Sequence, residues 1–534
     1  MNTLSGLDAS FLYLETPQTP MHIGSFCLYE RPAGQKGRFH VAIKKHLAKR
    51  LHLAPLFTQK LALMPLELGH PSWVTCPEID LNFHVKSIQG KALTVGEAQA
   101  KCAELHSQLM DRNQPLWEFY VFERIKRPDG SVCAGVYSRV HHAALDGKGG
   151  TVLTQAILDT SSTPREVAPP TAPSKGQPTD APGRLALLGQ VISGSFTQYK
   201  ALFKAIPPIA KALSATLTPP SNLSTRVKGR RKLPITLAPM TDFNVAVSTQ
   251  RSFGSVQLSF TECRAIGKAV GASFNDVVLW LCSTALRNYL SQYGGIPQKS
   301  LLAAMPISIR EEGNQDLSTQ ASMTVVALGT HLADPFQRLA AIQASTHKVK
   351  TARSNLKGLI PTDYPSLLAP WLVGGLAKAA YTTYQITGLS HRLPMPANLV
   401  ISNVPGPQVP LYLAGARLMT FHPLSIITHG LALNITIQTY AGQVDFGIVT
   451  DPHAMPHVNA LGDALTQAFE EARTLLMAPP PPVPSPVTQV TTPRKRPVKK
   501  KLQPVQGVEK TATVKTPTRR RTSAAASRTP HLTD

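Results

Sequence analysis

The chain is short of charge, of aromatic rings and of cysteine. Only 16% of its 534 residues are Asp, Glu, Lys or Arg, and 6% are Phe, Trp or Tyr. With 43% hydrophobic residues it still holds enough apolar side chain to fill a core, which excludes a chain disordered throughout. Its six cysteines (Cys27, Cys76, Cys102, Cys133, Cys263 and Cys282) form no CxxC pair, and none stands at zinc-ligand spacing from a histidine. Reduced, buried thiols and a cytoplasmic setting are expected. The opening MNTLSGLDASFLYLETP has neither a basic n-region nor an apolar h-region, so a secretory signal is not expected. No window reaches the roughly 18 apolar residues a spanning helix needs. The nearest, Leu367 to Ala377, is short and broken by Pro370 and a glycine pair, so any membrane contact is expected to be peripheral. A GxSxG nucleophile elbow is also missing.

What the chain has in excess is positive charge. Lys and Arg number 55 against 31 Asp and Glu, a net +24. Such a balance draws a protein toward anions: membrane phosphates, an acidic cofactor such as coenzyme A, or nucleic acid. Both the body and the end of the chain are basic. Residues Ala478–Asp534 alone carry twelve Lys/Arg against Glu509 and Asp534.

Strand-like and helix-like segments alternate, so the fold class is α/β, with helices layered on mixed sheets. Residues 1–161 form a first lobe, with helix patterns over Val41–His52 and Ala98–Met110 and strand composition over Leu116–Glu123 and Ser131–Val140. Residues 162–239 are a Pro-rich linker, then an amphipathic crossing segment (Arg184–Leu217), then the basic cluster Arg226, Lys228, Arg230, Arg231 and Lys232. That segment reads either as a helix packed between two lobes or as one lying on an anionic membrane surface. Residues 240–477 form a second lobe with helices over Thr261–Val270, Phe274–Leu290, Pro335–Arg353 and Met455–Leu476. Its strands are expected over Ser300–Ile309, Ala321–Gly329, Leu399–Asn403, Leu431–Tyr440 and Gln443–Val449. Residues 478–534, rich in Pro, Lys and Arg, are expected to be a disordered tail.

The strongest local signal is Val140-His141-His142-Ala143-Ala144-Leu145-Asp146-Gly147, a strand that runs into two histidines, a turn, an acid and a glycine-rich helix start. An imidazole there is suited to taking a proton from a hydroxyl. Taken alone, the pair also fits two hydrogen-bonded loop histidines, or a metal site for which no third ligand is spaced nearby.

HHAALDG fits the HHxxxDG motif of coenzyme A-dependent acyltransferases and of peptide-synthetase condensation domains. More of the chain narrows the choice. Leu4 to Phe11, then Thr16-Pro17 and Pro20-Met21-His22-Ile23-Gly24, resemble the opening of bacterial wax ester synthase/diacylglycerol acyltransferases. Pro115-Leu116-Trp117 is similar to that family's PLW motif, and Asn275-Asp276 to its ND-containing helix. Met305 to Arg310, Asn398 to Pro407 and Tyr412 to Ala416 follow in the family's order. The resemblance covers roughly residues 1–476. It does not extend to the tail, and it is loose over Ser161–Pro234.

The resemblance implies a two-lobed acyltransferase fold with its site between the lobes. The reaction it implies moves a fatty acyl group from acyl-coenzyme A to a long-chain alcohol, giving a wax ester, or to a diacylglycerol, giving a triacylglycerol. Acyl-coenzyme A is then a substrate, and neither a cofactor nor a metal is expected. In this reading His142 is the general base, His141 is positional, and Asp146 orients the loop with Arg310 as its structural partner. Gly147 lets backbone approach substrate, and Asn275 with Asp276 either binds substrate or a developing oxyanion or is an ordinary helix cap of the second lobe. Two alternatives remain at this level. One is a condensation-type transferase using carrier-bound thioesters. The other is a non-enzymatic protein that binds membrane or nucleic acid through its basic tail. A cytoplasmic protein attached peripherally to membrane or lipid-droplet surfaces is the expected setting.

Overall fold

The computed structural model describes residues 2–62, 70–145, 149–169, 237–308, 321–356 and 395–477. The linker's crossing segment, its basic cluster and the tail lie outside these residues. So do Asp146, Gly147 and Arg310.

Two large sheets organise the chain. The first runs in the order Tyr412–Leu413, Ala416–Leu424, His22–Glu30, Val132–His141, Trp117–Lys126, Val85–Ile88, and Leu93–Thr94 also pairs with Trp117–Lys126. It is antiparallel except where Val85–Ile88 and Leu93–Thr94 lie parallel to Trp117–Lys126. The strand Trp117–Lys126 shows why helices cover both faces. Trp117, Phe119 and Val121 pack with Phe39, Ile43 and Leu47 of the helix Phe39–Ala48. Tyr120 and Phe122 pack with Ala98, Cys102 and Leu105 of the helix Val95–His106. A strand with large apolar side chains on both faces must be covered on both sides.

The second sheet runs Ala321–Ala327, Leu302–Ser308, Leu399–Val404, Leu433–Tyr440, Gln443–Thr450, Ser252–Ser259. Leu399–Val404 lies parallel to both of its neighbours, and the other pairings are antiparallel. The helices Phe260–Ala269, Phe274–Gln292, Pro335–Leu356 and Val458–Met477 share one core with it, around Ile401, Ile435, Phe446 and Trp280. The expected mixed α/β character is therefore present in both halves.

The helix ends expected from sequence shift by a few residues. The first long helix stops at Ala48 rather than His52, and a 3-10 turn, Leu51–Leu53, follows. Arg50 turns inward there, donating to Asp159 Oδ1 at 3.0 Å. The strands not recognised from sequence include two in the first sheet, His22–Glu30 and Ala416–Leu424. The second of these falls in the residues assigned to the second lobe, yet it adds to the first sheet, beside His22–Glu30. An unpaired strand edge is costly, and this strand covers it.

The crossing is stapled from the second sheet. Asp445 is fully buried and its Oδ2 accepts from the Phe421 backbone N–H at 2.8 Å, while Oδ1 accepts from Gln257 Nε2 at 2.8 Å. Two residues on, a Cβ built on Gly447 would stand 1.6 Å from the Pro423 carbonyl oxygen. The Asp445-Phe446-Gly447 triplet thus joins the two sheets. The hairpin carrying it turns through Ala441 and Gly442, with φ of 44° and 81°. A two-residue turn with both φ values positive favours Asn-Gly, and an alanine there costs about 1 kcal/mol.

These contacts set two outcomes with opposite signs. Gly447→Ala should lower the thermal midpoint sharply or leave the protein insoluble, because backbone cannot yield as a flexible side chain can. Ala441→Asn should raise stability by up to about 1 kcal/mol, read as a higher midpoint in the same thermal scan.

Candidate active site

The histidine pair sits where the strand Val132–His141 ends. His141 faces His22 across the sheet, and its backbone N–H donates to the Leu116 carbonyl at 3.0 Å. The next residue breaks the ladder. The His142 N–H donates to the Met21 carbonyl at 2.8 Å, and residues His142–Ala144 wind into a single 3-10 turn. The His141 ring caps that turn, its Nδ1 accepting from the Ala143 N–H at 3.1 Å. An Nδ1 that accepts carries no proton, so in the neutral ring the proton sits on Nε2.

Nε2 of His141, in a side chain with no solvent exposure, lies 3.2 Å from Glu15 Oε1. This is ion-pair distance, although the angle falls short of good hydrogen-bond geometry. Glu15 follows the helix Gly6–Leu14, which is capped by Ser5: the Ser5 hydroxyl oxygen accepts from the Asp8 N–H at 3.1 Å. The two carboxylate oxygens divide their work. Oε1 also accepts from the Met21 N–H at 2.9 Å, and Oε2 accepts from Arg112 Nη2 at 2.9 Å and Nε at 3.3 Å. Burial pushes the Glu15 pKa up, but His141, the Met21 N–H and Arg112 together outweigh it and hold the pKa down at about 2.

His142 stacks on Phe11 of the same first helix, with ring centroids 3.8 Å apart and 16° between planes. The His142 residue is half-buried. Nδ1 is enclosed with no hydrogen-bond partner among the described residues. Burial first, and the neighbouring His141 second, lower the His142 pKa to about 4. The ring is therefore neutral at pH 7 with a lone pair available. Ala143 packs beneath it with Leu4, Ala9, Leu12 and Leu116. Burial also lowers His106, to about 3, so this imidazole at the end of the helix Val95–His106 adds no charge near neutral pH.

The structure brings His141 and His142 together with Phe11, Glu15, Met21 and Arg112. Sequence reading singled out the two histidines and missed Phe11, Glu15 and Arg112 as site residues. The available signal was an acid in the otherwise uncharged stretch from Ala9 to Gly24.

Asn275 and Asp276 lie elsewhere in the hydrogen-bond pattern. Asp276 completes a capping box for the helix Phe274–Gln292: its Oδ2 accepts from the Ser273 hydroxyl at 2.6 Å, and its Oδ1 accepts from the Thr346 hydroxyl at 2.8 Å. Both oxygens are occupied, and an ionised carboxylate cannot donate to an oxyanion, so its place is a structural cap. Asn275 is half-buried, and its Oδ1 accepts from Asn403 Nδ2 at 3.5 Å, which links the helix to the Ser402-Asn403-Val404-Pro405 segment. Among the described residues no group of three His, Cys, Asp or Glu is placed to hold a metal ion.

Comparison with known proteins agrees with this geometry. The wax ester synthase/diacylglycerol acyltransferase catalytic domain matches residues 4–278, and the C-terminal domain of the same family matches residues 317–473. A Mycobacterium tuberculosis protein named as a diacylglycerol O-acyltransferase is 32% identical over 471 residues, which is 88% of this chain and 98% of that relative. A Mycobacterium bovis protein of the same designation is 31% identical over 467 residues, 86% of this chain and 96% of its own length. Among solved structures, the wax ester synthase/diacylglycerol acyltransferase from Marinobacter aquaeolei VT8 superposes with a TM-score of 0.61 at 25% identity, covering 90% of this chain and 100% of that one. With the histidine turn in place and both family domains matched along its length, the chain belongs to the wax ester synthase/diacylglycerol acyltransferase family and is an acyltransferase.

Proposed function

We propose that the chain transfers a fatty acyl group from acyl-coenzyme A to the hydroxyl of a long-chain alcohol or a diacylglycerol, with His142 as general base. The observation that carries this reading is the state of His142: neutral, stacked on Phe11, set in a turn fixed on both sides, and still partly accessible. The thioester is already activated, so the chemistry asks the protein for little more than a base and a place to react. Nε2 of His142 takes the acceptor's proton as its oxygen attacks the thioester carbonyl. The tetrahedral oxyanion collapses, the carbon–sulfur bond breaks, and the coenzyme A thiolate leaves with the proton returned by the imidazolium. No acyl-enzyme is needed. General-base catalysis of this kind is worth about 10²–10⁴-fold.

Asp146 and Gly147, which follow the histidines in sequence, and Arg310, far along the chain, keep the roles that the resemblance implies. Asn275, tied to Asn403, is the member of the second pair with a free donor to offer an oxyanion, through its own amide N–H groups. The net charge of +24 favours an anionic phosphate substrate and a cytoplasmic, peripheral attachment to membrane or lipid-droplet surfaces. Among the described residues no single helix is long and apolar enough to cross a membrane.

His142→Ala should lower kcat with acyl-coenzyme A by about 10²–10⁴-fold, with the protein still folded. Near wild-type turnover in that variant removes the base assignment. The pH dependence carries the same sign. The base works only unprotonated and its pKa lies near 4, so kcat/KM should hold its plateau well below pH 6.5 and fall only as pH approaches 4. A rate assay across pH 4–8 checks this. Deleting 478–534 should leave turnover of soluble substrates intact and weaken co-sedimentation with anionic lipid vesicles at low salt, and equal sedimentation removes the tail's part in attachment.

A further inference from the structure

We infer that Glu15 is a positioning residue for acyl transfer, holding the His142 imidazole in place from both sides along the chain. The inference rests on His142 being the base. Two routes connect the carboxylate to that ring. In the first, Glu15 Oε1 accepts from the Met21 N–H at 2.9 Å, and the Met21 carbonyl accepts from the His142 N–H at 2.8 Å. In the second, the same oxygen stands 3.2 Å from His141 Nε2, and His141 Nδ1 accepts from the Ala143 N–H at 3.1 Å. Residues 141, 142 and 143 are therefore all referred back to one oxygen atom. The helix that ends just before Glu15 also supplies Phe11, the ring on which His142 stacks.

The obvious alternative is an ion pair that only ties the first helix to the Arg112 loop. The division of the carboxylate argues against it. Arg112 engages Oε2 alone, with Nη2 also donating to the Leu12 carbonyl at 2.8 Å, and this would tie helix to loop without any part for Oε1. Oε1 points the other way, to the histidine turn. The carboxylate is 2% exposed, so its field at the turn is little screened by water.

Charge gives the arrangement a signature that a purely structural tie lacks. The charged and titratable groups around the turn are Glu15 and Asp8 from the first helix and its end, Arg112 from the loop after the helix Val95–His106, His141 and His142 themselves, and His22 on the facing strand. Positive charge builds on His142 as it takes the proton. The Glu15 carboxylate favours that charge and the Arg112 guanidinium opposes it. Removing the carboxylate leaves the guanidinium alone, so the base weakens. Removing the guanidinium frees the carboxylate, so the base strengthens and its titration moves up.

The experiment measures kcat, KM for acyl-coenzyme A and the acid limb of kcat/KM in full-length wild type, Glu15→Gln, Glu15→Asp, Arg112→Gln and His142→Ala, with thermal melting as the check on folding. Glu15→Gln should cost about 10²-fold in kcat, the loss expected for a base displaced by about 1 Å, with KM within about threefold of wild type. Glu15→Asp, which keeps the charge, should recover a large part of kcat. Arg112→Gln should move the acid limb to higher pH. Folded Glu15→Gln protein with wild-type kcat overturns the inference, and so does an Arg112→Gln limb that stays put or moves down. If Glu15→Gln does not fold, the Asp variant and the Arg112→Gln limb decide alone. Failure of the base assignment itself reads differently, as an active His142→Ala.

Discussion

A carboxylate buried to 2% exposure, with an arginine on one oxygen and a histidine and a backbone N–H on the other, is the contact on which the reactive turn depends. Burying an isolated carboxylate costs several kcal/mol, so Glu15 persists only because every direction open to it is answered by a donor. The answer comes from three separate segments: the residue after the strand-leading loop at Met21, the loop at Arg112, and the strand end at His141. The carboxylate therefore acts as a common reference for pieces of chain that are distant in sequence. Once it is fixed, His142 inherits its position from its neighbours, since among the described residues its own ring is held by stacking on Phe11 and by shape.

Shape rather than a hydrogen bond at Nδ1 has a chemical consequence. A histidine whose Nδ1 proton is taken by a carboxylate becomes a stronger base, because the partner stabilises the imidazolium. His142 has no such partner among the described residues, and burial lowers its pKa to about 4. A ring of this kind is a modest base but is never lost to protonation near neutral pH. The trade suits acyl transfer from a thioester, where the electrophile is already reactive. What the site must supply is a lone pair in a recess with little water, so that the lipid hydroxyl and not water is the nucleophile.

The histidine turn was legible in sequence because its features are local. A strand end, a His-His pair, an acid and a glycine-rich run occupy eleven consecutive positions, 140–150. Most helices were legible for the same reason, their apolar periods being contained within themselves. Glu15 was not. A glutamate in a sequence has no mark of burial, and what buries it is Arg112, nearly a hundred residues away. Asp276 was legible two ways. Its place in a recognised motif suggested chemistry, the spacing Ser273 to Asp276 equally suggested a helix cap, and the cap is what the hydrogen bonds show. The strand Ala416–Leu424 was hidden because its partner is His22–Glu30, and no local pattern announces a pairing across roughly four hundred residues.

That long-range pairing also reaches the active site. Pro423 and Leu424 lie opposite Ser25 and Gly24, and two residues further along the same strand His22 lies opposite His141. The register of the catalytic strand is thus shared with a strand delivered from the second half of the chain. That strand is in turn held down by Asp445 at the Phe421 N–H, and by the close backbone approach that only Gly447 permits. A one-residue slip in a sheet moves every side chain to the other face. If it occurred here, His141 would leave Glu15 and the turn would lose its reference. The Asp445-Phe446-Gly447 triplet in the second sheet and the buried glutamate beside the histidines are therefore two ends of one constraint. The second sheet sets the register of the first, and the first sheet's last residue meets the carboxylate only in that register.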